Sequence, residues 1–86
     1  MDYLRILWDA PDDSEGNVWH IAEHGLSIDE IEEVLANPAS QGISKSTGRP
    51  VVWGYTQEGL YLIVVYEQVD NETIRVVTAY EVDEPS

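Results

Sequence analysis

The sequence predicts a single α+β domain in which two short helices pack on a small antiparallel sheet. In the first half of the chain apolar residues recur at helical spacing, whereas from Gly42 onward they alternate with a period of two. The predicted strands are joined by short, turn-forming connections, which is typical of antiparallel neighbours. A chain of 86 residues, 43% of them apolar, fits one domain with one modest core.

The first two predicted elements are a strand and a short helix. The strand runs from Tyr3 to Trp8, before a cluster of turn formers at residues 9–14. Asn17 is predicted to cap the helix, and Gly25 to end it, where a left-handed residue is commonly needed. The apolar face of this helix consists of Val18, Ile21 and Ala22.

The second helix has the clearest start signal in the chain. Ser27 and Glu30 have the spacing of a capping box, in which each side chain accepts a hydrogen bond from the backbone N–H of the other residue. The helix is predicted to end before Pro38, because the residue preceding a proline is driven out of the α region. Its buried stripe is predicted to be Ile28, Ile31, Val34 and Leu35.

Three strands follow and form a meander: 51–56, 60–68 and 73–82. Lys45 falls in a predicted turn, residues 45–48, and a shorter strand near residues 42–46 is the alternative. Residues 1–82 form the predicted domain, and residues 83–86 a frayed acidic tail. One sheet face is predicted to carry Leu60, Leu62, Val64 and Tyr66 together with Ile74, Val76 and Thr78.

The charge of the chain disfavours a nucleic-acid ligand. Seventeen acidic side chains against four basic ones give a net charge of −13 at pH 7. Nucleic-acid binding draws most of its free energy from Lys and Arg contacts to phosphates, which so acidic a surface repels. A basic protein partner fits this charge better than RNA does.

The sequence also predicts the localisation of the protein and excludes chemistry that depends on cysteine. Without cysteine there is no disulfide, thiolate nucleophile or Cys-ligated metal site. The amino terminus lacks the features of a secretory signal, and the longest apolar run, residues 60–66, is too short to cross a bilayer as a helix. We therefore expect a soluble, cytoplasmic protein without a membrane partner.

Motifs in both halves of the chain resemble one protein family. In the first half they are Trp8-Asp9, Asn17, the run 20–27 and the Glu-rich helix with its Asn37-Pro38 end. In the second half they are Gly48-Arg49, Trp53-Gly54-Tyr55 and the runs 62–66 and 74–79. Over residues 6–80 these motifs resemble the RelE/ParE-like toxins, and in particular their BrnT-type branch.

The resemblance implies a RelE/ParE-like toxin fold and the toxin component of a type II toxin–antitoxin module, an endoribonuclease silenced by an antitoxin. Arg49 and Arg75 stand at positions matching basic residues that hold RNA in the family. Tyr55 and Tyr80 stand where the family usually carries arginine, and the acidic residues 81–86 replace its basic carboxy-terminal helix. The chain thus resembles a divergent, acidic member.

The candidate catalytic residues are Arg49, Arg75, Tyr80, His20 and His24. The arginines could hold a phosphate and stabilise the charge that grows during cleavage, whereas ordinary pairing with carboxylates is their alternative role. A histidine could act as general acid or base. The alternative role for His24 is an interaction with the unpaired carbonyls at its helix end.

A zinc site is the weakest of the candidate chemistries. His20, Glu23 and His24 form an H-x-x-E-H pattern, typical of one group of zinc peptidases. A catalytic zinc needs a third protein ligand, and the late candidates Glu81 and Glu84 fall at a predicted strand end and in the tail. We therefore predict no metal and no cofactor.

The aromatic residues of the sheet have two possible roles, which are stacking on nucleic-acid bases and packing against each other across strands. Stacking accompanies a basic groove, which the sequence does not offer, so packing is favoured. Trp19 lies off the apolar stripe of its helix and is a candidate anchor for a protein partner, or a cover for the sheet edge. The sheet aromatics are Trp53, Tyr55, Tyr61, Tyr66 and Tyr80.

Three functions therefore remain open. The first is a catalytically weakened toxin relative that binds a protein partner, antitoxin-like or otherwise basic, and the charge favours it. The second is an active ribonuclease toxin, which requires a local positive pocket. The third is a zinc-dependent hydrolase. The sequence predicts no oligomeric state.

Overall fold

Two helices pack on one face of a five-stranded sheet in the computed structural model, which describes residues 5–84. The helices are α1, Asn17–Glu23, and α2, Ile28–Ala36. The strands are β1, Arg5–Leu7; β2, Ser40–Ile43; β3, Pro50–Tyr55; β4, Tyr61–Gln68; and β5, Thr73–Glu81. This arrangement confirms the predicted α+β class.

The sheet is mixed, with the strand order β1-β5-β4-β3-β2. The predicted meander β3–β4–β5 is present, and β2 adds to it in antiparallel fashion. β1, however, runs parallel to β5, with Ile6 opposite Ile74. The sheet is not antiparallel throughout because β5, the last strand, returns to lie beside the first strand in the same direction.

Local sequence signals set most of the element ends. The capping box of Ser27 and Glu30 is formed, and Gly25 has the predicted left-handed conformation, with φ of 75°. The N-cap of α1 is Gly16, however, and Asn17 is the first helical residue, so the prediction of Asn17 as the cap was wrong. Its side chain is used in a longer-range contact described below.

Some predictions fall outside the described residues. The first strand was predicted from Tyr3, but the structure describes it only from Arg5, and residues 85–86 of the predicted tail are likewise not described. The division into a domain of residues 1–82 and a tail of residues 83–86 stays a prediction. No helix within residues 5–84 has the length and apolar character needed to cross a membrane.

The core lies between the helices and the inner face of the sheet. The predicted stripe of α2 is buried there, apart from a partly exposed Ile28. Gly54 gives α2 close access to the sheet, since a Cβ at that position would lie 3.1 Å from Val34 Cγ1. The buried sheet residues of the core are Val52, Leu62, Val64, Tyr66, Ile74, Val76 and Ala79.

A bulge in β5 changes which residues face the core. Val65 pairs with Thr78, but the next residue of β4, Tyr66, pairs with Val76, so Val77 is an extra residue in β5. One extra residue shifts the alternation to the opposite face. Thr78 was therefore wrongly predicted to lie on the core face, and Ala79 takes that place.

The other face of the sheet carries no helix in the described structure. We call it the open face, and it consists of Val51, Trp53, Tyr55, Tyr61, Ile63, Val65, Thr78 and Tyr80, with Glu67 and Arg75 continuing it at one end. These residues pair across β3, β4 and β5 in register, for example Trp53 with Ile63 and Ile63 with Tyr80.

Candidate functional site

Asn17 closes a stretch of sheet edge beside β5. β1 has only three residues, so it pairs with β5 only as far as Arg75. The Asn17 side chain continues from there: its Nδ2 donates to the carbonyl oxygens of Leu7 and Val76, both at 2.9 Å, and its Oδ1 accepts from the Asp9 N–H at 2.8 Å. Three hydrogen bonds to one buried amide fix α1 against β5.

Asp9 connects the start of α1 to β5. Its carboxylate accepts a hydrogen bond from the Asn17 backbone N–H at 2.9 Å and forms a 2.5 Å ion pair with the Arg75 guanidinium. The hydrogen bond from Asn17 lowers the pKa of Asp9, burial opposes it, and the charges of Arg75 and His20 lower it further. Asp9 therefore stays ionised and keeps Arg75 paired.

Gly16 allows Asp9 to approach the helix this closely. A Cβ at residue 16 would lie 2.6 Å from the Asp9 Cβ and 3.1 Å from one of its carboxylate oxygens. Real Cβ atoms do not come so close to another side chain. The absence of a side chain at Gly16 is thus part of how the carboxylate is placed.

Glu67 lies between the two candidate arginines. It stands opposite Arg75 in the pairing of β4 with β5, and its Oε1 lies 4.0 Å from the Arg75 guanidinium. Its Oε2 lies 3.9 Å from Nε of Arg49. The structure therefore brings Arg49 and Arg75 together, but around a carboxylate of the chain itself.

This cluster carries no net positive charge. The two guanidiniums of Arg49 and Arg75 are matched by the two carboxylates of Asp9 and Glu67. The working ribonuclease hypothesis expects a local positive pocket, and these four residues do not form one.

The histidines and Tyr80 lie along the seam between α1 and β5. His20 lies in α1, and His24, four residues later, is its C-cap. The His24 ring packs against the Tyr80 ring, with 5.7 Å between their centroids. His20 lies nearer the other end, where its charge favours the ionised Asp9.

The five predicted catalytic residues thus divide into two groups. Arg75 and Tyr80 are five positions apart on β5, which corresponds to about 15 Å along a strand. Arg49 and Arg75 form one group with their carboxylates, and His24 and Tyr80 form the other. A single phosphate could not contact both groups while Arg75 stays on Asp9.

The described residues do not assemble a metal site. Within residues 5–84 no three His, Cys, Asp or Glu side chains are placed to hold an ion together. His24 of the H-x-x-E-H pattern instead contacts Tyr80. Glu84, one candidate for the third ligand, accepts a long hydrogen bond of 3.5 Å from the Tyr55 hydroxyl.

The aromatic side chains of the sheet do not form a single row. Tyr55 and Tyr61 pair across β3 and β4 with 4.8 Å between ring centroids, as cross-strand packing predicts. Tyr66 lies in the core, where burial raises its pKa. Trp19 is 44% exposed and lines a shallow groove of about 220 Å³ with Ala22 and Glu23.

Asp9 and Glu67 belong to the arginine cluster although the sequence assigns them no role. Asp9 occurs in the Trp8-Asp9 motif of the family resemblance, and Glu67 is one of seventeen acidic residues. The available signal for Glu67 is its position in β4, where it is a charged outward residue after Tyr61, Ile63 and Val65.

Fold and site together define a class of small α+β protein, in which two helices cover one face of a mixed sheet and polar residues line the seam between the first helix and the last strand. The structure is similar to the crystal structure of the Brucella abortus ribonuclease toxin BrnT, with a TM-score of 0.67 and 23% sequence identity. The likeness covers 94% of this chain and 99% of that one.

By sequence, the chain matches no family model and no curated protein. The structural likeness nevertheless agrees with the resemblance carried by the sequence motifs. The predicted toxin-like fold is confirmed, since the chain has the fold of the BrnT toxin over nearly its whole length.

Proposed function

We propose that this chain is a toxin-like component of a toxin–antitoxin module that acts by binding a basic, antitoxin-like protein in the cytoplasm, with weak or absent ribonuclease activity. The fold supports the toxin-like part of this proposal, because the similar structure is that of a ribonuclease toxin. The net charge of −13 supports a basic partner.

The observation that carries the proposal is the pairing of both candidate arginines with carboxylates of the same chain. Arg75 is held by Asp9 at 2.5 Å, and Glu67 lies about equally far from Arg49 and Arg75. A phosphate that binds Arg75 would have to displace the Asp9 carboxylate, whereas the contact of Arg49 with Glu67 is longer and exposed. The local charge adds no attraction that would drive this exchange.

RNA cleavage is the alternative function, and the contact of His24 with Tyr80 favours it. An imidazole and a phenol hydroxyl in the same place can transfer protons to and from a reacting group. Such a pair would still need groups that bind the phosphate, and Arg49 and Arg75 do not supply them while they are paired.

The first test is binding and cleavage of single-stranded RNA by the purified protein at low ionic strength, where electrostatic attraction is least screened. We expect neither binding nor cleavage. Arg49→Ala and Arg75→Ala should then change nothing. Lys45→Ala is the matched control, since it removes the same charge from an exposed turn. Cleavage that is lost in both arginine variants but kept in the control would establish the ribonuclease instead.

A gain-of-binding variant tests the role of the pairing directly. Glu67→Gln removes the carboxylate between Arg49 and Arg75, so we expect it to raise the affinity for RNA. Glu58→Gln removes the same charge from the exposed turn between β3 and β4 and is the control. If both variants bind RNA equally, the overall charge rather than the arginine pairing decides the outcome.

The partner half of the proposal needs its own test. We expect the protein to form a stable complex when it is co-expressed with a small DNA-binding protein encoded by an adjacent reading frame. Size-exclusion chromatography with light scattering measures this complex and its stoichiometry. A chain that stays monomeric beside every adjacent product would contradict an antitoxin-like partner.

A further inference from the structure

The open face has the composition of a buried surface. The six outward residues of β3 and β4 that pair with one another are all apolar or aromatic: Val51, Trp53, Tyr55, Tyr61, Ile63 and Val65. Antiparallel sheets with one solvated face normally alternate apolar inward residues with polar outward ones, whereas strands that are buried on both faces read as continuous apolar runs. β4 has such a run, residues 61–66, so its sequence fits a strand that is covered on both sides.

Part of this face is exposed in the described structure. Tyr55 is 45% exposed and Tyr80 37%, while Trp53 and Ile63 are half-buried. Tyrosine and tryptophan are the side chains most enriched in the energetic centres of protein interfaces. The helices pack against the opposite face, and only the His24 ring at the end of α1 reaches Tyr80. Val51, Tyr61 and Val65 are already buried, so the part of this face left for a partner is the one around Trp53, Tyr55, Ile63 and Tyr80.

The charges beside the open face are acidic at one end. Asp83 and Glu84 follow the end of β5 and are exposed, and Glu84 lies next to Tyr55, whose hydroxyl donates to it at 3.5 Å. The turn between β3 and β4 adds an exposed Glu58 at the same end. A second copy of this chain would bring its own charge of −13 to this surface and be repelled.

We propose that the open face is a docking surface for a basic amphipathic helix of a partner protein, whose apolar stripe covers Trp53, Tyr55, Ile63 and Tyr80 and whose lysines or arginines meet Glu58, Asp83 and Glu84. This inference rests on the proposed partner-binding function and locates the surface for it. It places binding away from the exposed Trp19, which lies on α1.

The dimensions of the surface suit one helix. The three strands β3, β4 and β5 span about 10 Å at the usual strand spacing, which is roughly the diameter of a helix with its side chains. The outward residues from Tyr61 to Val65 extend about 13 Å along β4. Two to three helical turns would therefore cover the exposed aromatics.

The experiment uses a synthetic 18-residue helix of leucine and lysine, with the leucines on one face, and a control peptide in which every lysine is replaced by glutamate. The chain has three tryptophans, so its indole N–H signals in an NMR spectrum report three places. Trp53 lies on the open face, Trp19 on α1, and Trp8 donates its indole N–H to Glu32. We expect the lysine peptide to shift the Trp53 signal alone and the glutamate peptide to shift none.

Variants separate a specific surface from general attraction to an acidic protein. Tyr55→Ser should weaken binding of the lysine peptide at least about tenfold, the scale of an interface anchor. Trp19→Ser is the matched control, with a similarly exposed aromatic on α1, and should leave the affinity unchanged. Circular dichroism checks that both variants fold, and Tyr55 is exposed enough for its truncation to spare the core.

Several outcomes would overturn this inference. A shift of Trp19 without Trp53, or equal losses in Tyr55→Ser and Trp19→Ser, would move the surface to α1 or reduce it to bulk electrostatics. Self-association that is measured by light scattering and abolished by Tyr55→Ser would mean that a second copy of the chain occupies the surface.

If a partner protein still forms a full-affinity complex with Tyr55→Ser, the proposed function stands and this surface is wrong. If the protein cleaves RNA through Arg49 and Arg75, the proposed function fails whether or not the peptide binds.

Discussion

The two faces of the sheet are built from equally apolar strands but have different neighbours. On the covered face Leu62 and Val64 are fully buried beneath α2. On the open face their neighbours Ile63 and Tyr55 keep contact with solvent. The apolar character of a strand therefore does not show which of its two faces the helices of this chain cover. Substitutions at single residues can test this comparison of the two faces.

The largest difference is expected between two adjacent residues of β4. Leu62→Ala should destabilise the protein by about 2 to 5 kcal/mol, because it leaves a cavity under the helices. Ile63→Ala removes a side chain that is only partly buried and should cost clearly less, about 1 to 2 kcal/mol. Urea unfolding followed by circular dichroism measures both. Equal losses would mean that the open face is packed as tightly as the core.

The edge where the covered face meets α1 should be nearly as sensitive. Asn17→Ala removes three hydrogen bonds and leaves the buried Val76 carbonyl without its side-chain donor. We expect a loss of about 2 to 4 kcal/mol, since each unsatisfied buried group costs roughly 1 to 3 kcal/mol. Asn71→Ala, in an exposed turn, is the control in the same urea experiment. A loss no larger than that of the control would mean that water replaces the Asn17 amide.

Substitutions at two glycines test which face of the sheet is packed more rigidly. A Cβ at Gly54 would lie 3.1 Å from Val34 on the covered face, and a Cβ at Gly42 would lie 3.1 Å from the Trp53 ring on the other. Val34 is fully buried, whereas Trp53 is half-buried, so the Trp53 ring can yield more readily than the Val34 side chain. Gly54→Ala should therefore cost about 1 to 3 kcal/mol and Gly42→Ala clearly less. Thermal unfolding measures both, and the reverse order would contradict a mobile open face.

The smallest effect concerns Asp9 and depends on pH. Its pKa is below the ordinary 3.8, chiefly because the Asn17 N–H bonds the carboxylate, so Asp9 contributes stability above that value and loses it as pH falls through the lowered pKa. Asp9→Asn should destabilise by on the order of 1 kcal/mol or less at pH 7. The gap between the wild type and this variant should narrow as pH falls below about 3.8. Asp12→Asn, at an exposed loop position, is the control and should be as stable as the wild type at every pH.

Signals that act within a few residues predicted the helices well. The capping box at Ser27, the left-handed Gly25 and the end of α2 before Pro38 each depend on neighbouring residues, so they can be read from the sequence. Asn17 is the exception among them. Its side chain has the groups needed to cap α1. Its amide N–H instead donates to the carbonyl of Val76, which is distant in sequence.

Features that depend on distant strands were missed. The parallel pairing of β1 with β5 follows from the path of the whole chain. The bulge at Val77 could not be predicted because Val76, Val77 and Ala79 are all apolar and fit either face of the sheet. Arg49 and Arg75 were predicted as site residues, and their role stays a prediction. Their partners Asp9 and Glu67 were not predicted, because the contacts join strands and loops that are distant in sequence.

The Asn17 side chain also determines how this sheet can grow. A strand edge with unpaired N–H and C=O groups invites a strand of another molecule, and proteins block such edges to avoid aggregation. Asn17 occupies the Leu7 and Val76 carbonyls, and α1 contacts β5 beyond them, where the His24 ring meets Tyr80. The described edge strands are then β1 with three residues and β2 with four, both short templates for strand addition. Association through a face is thereby favoured over association through an edge.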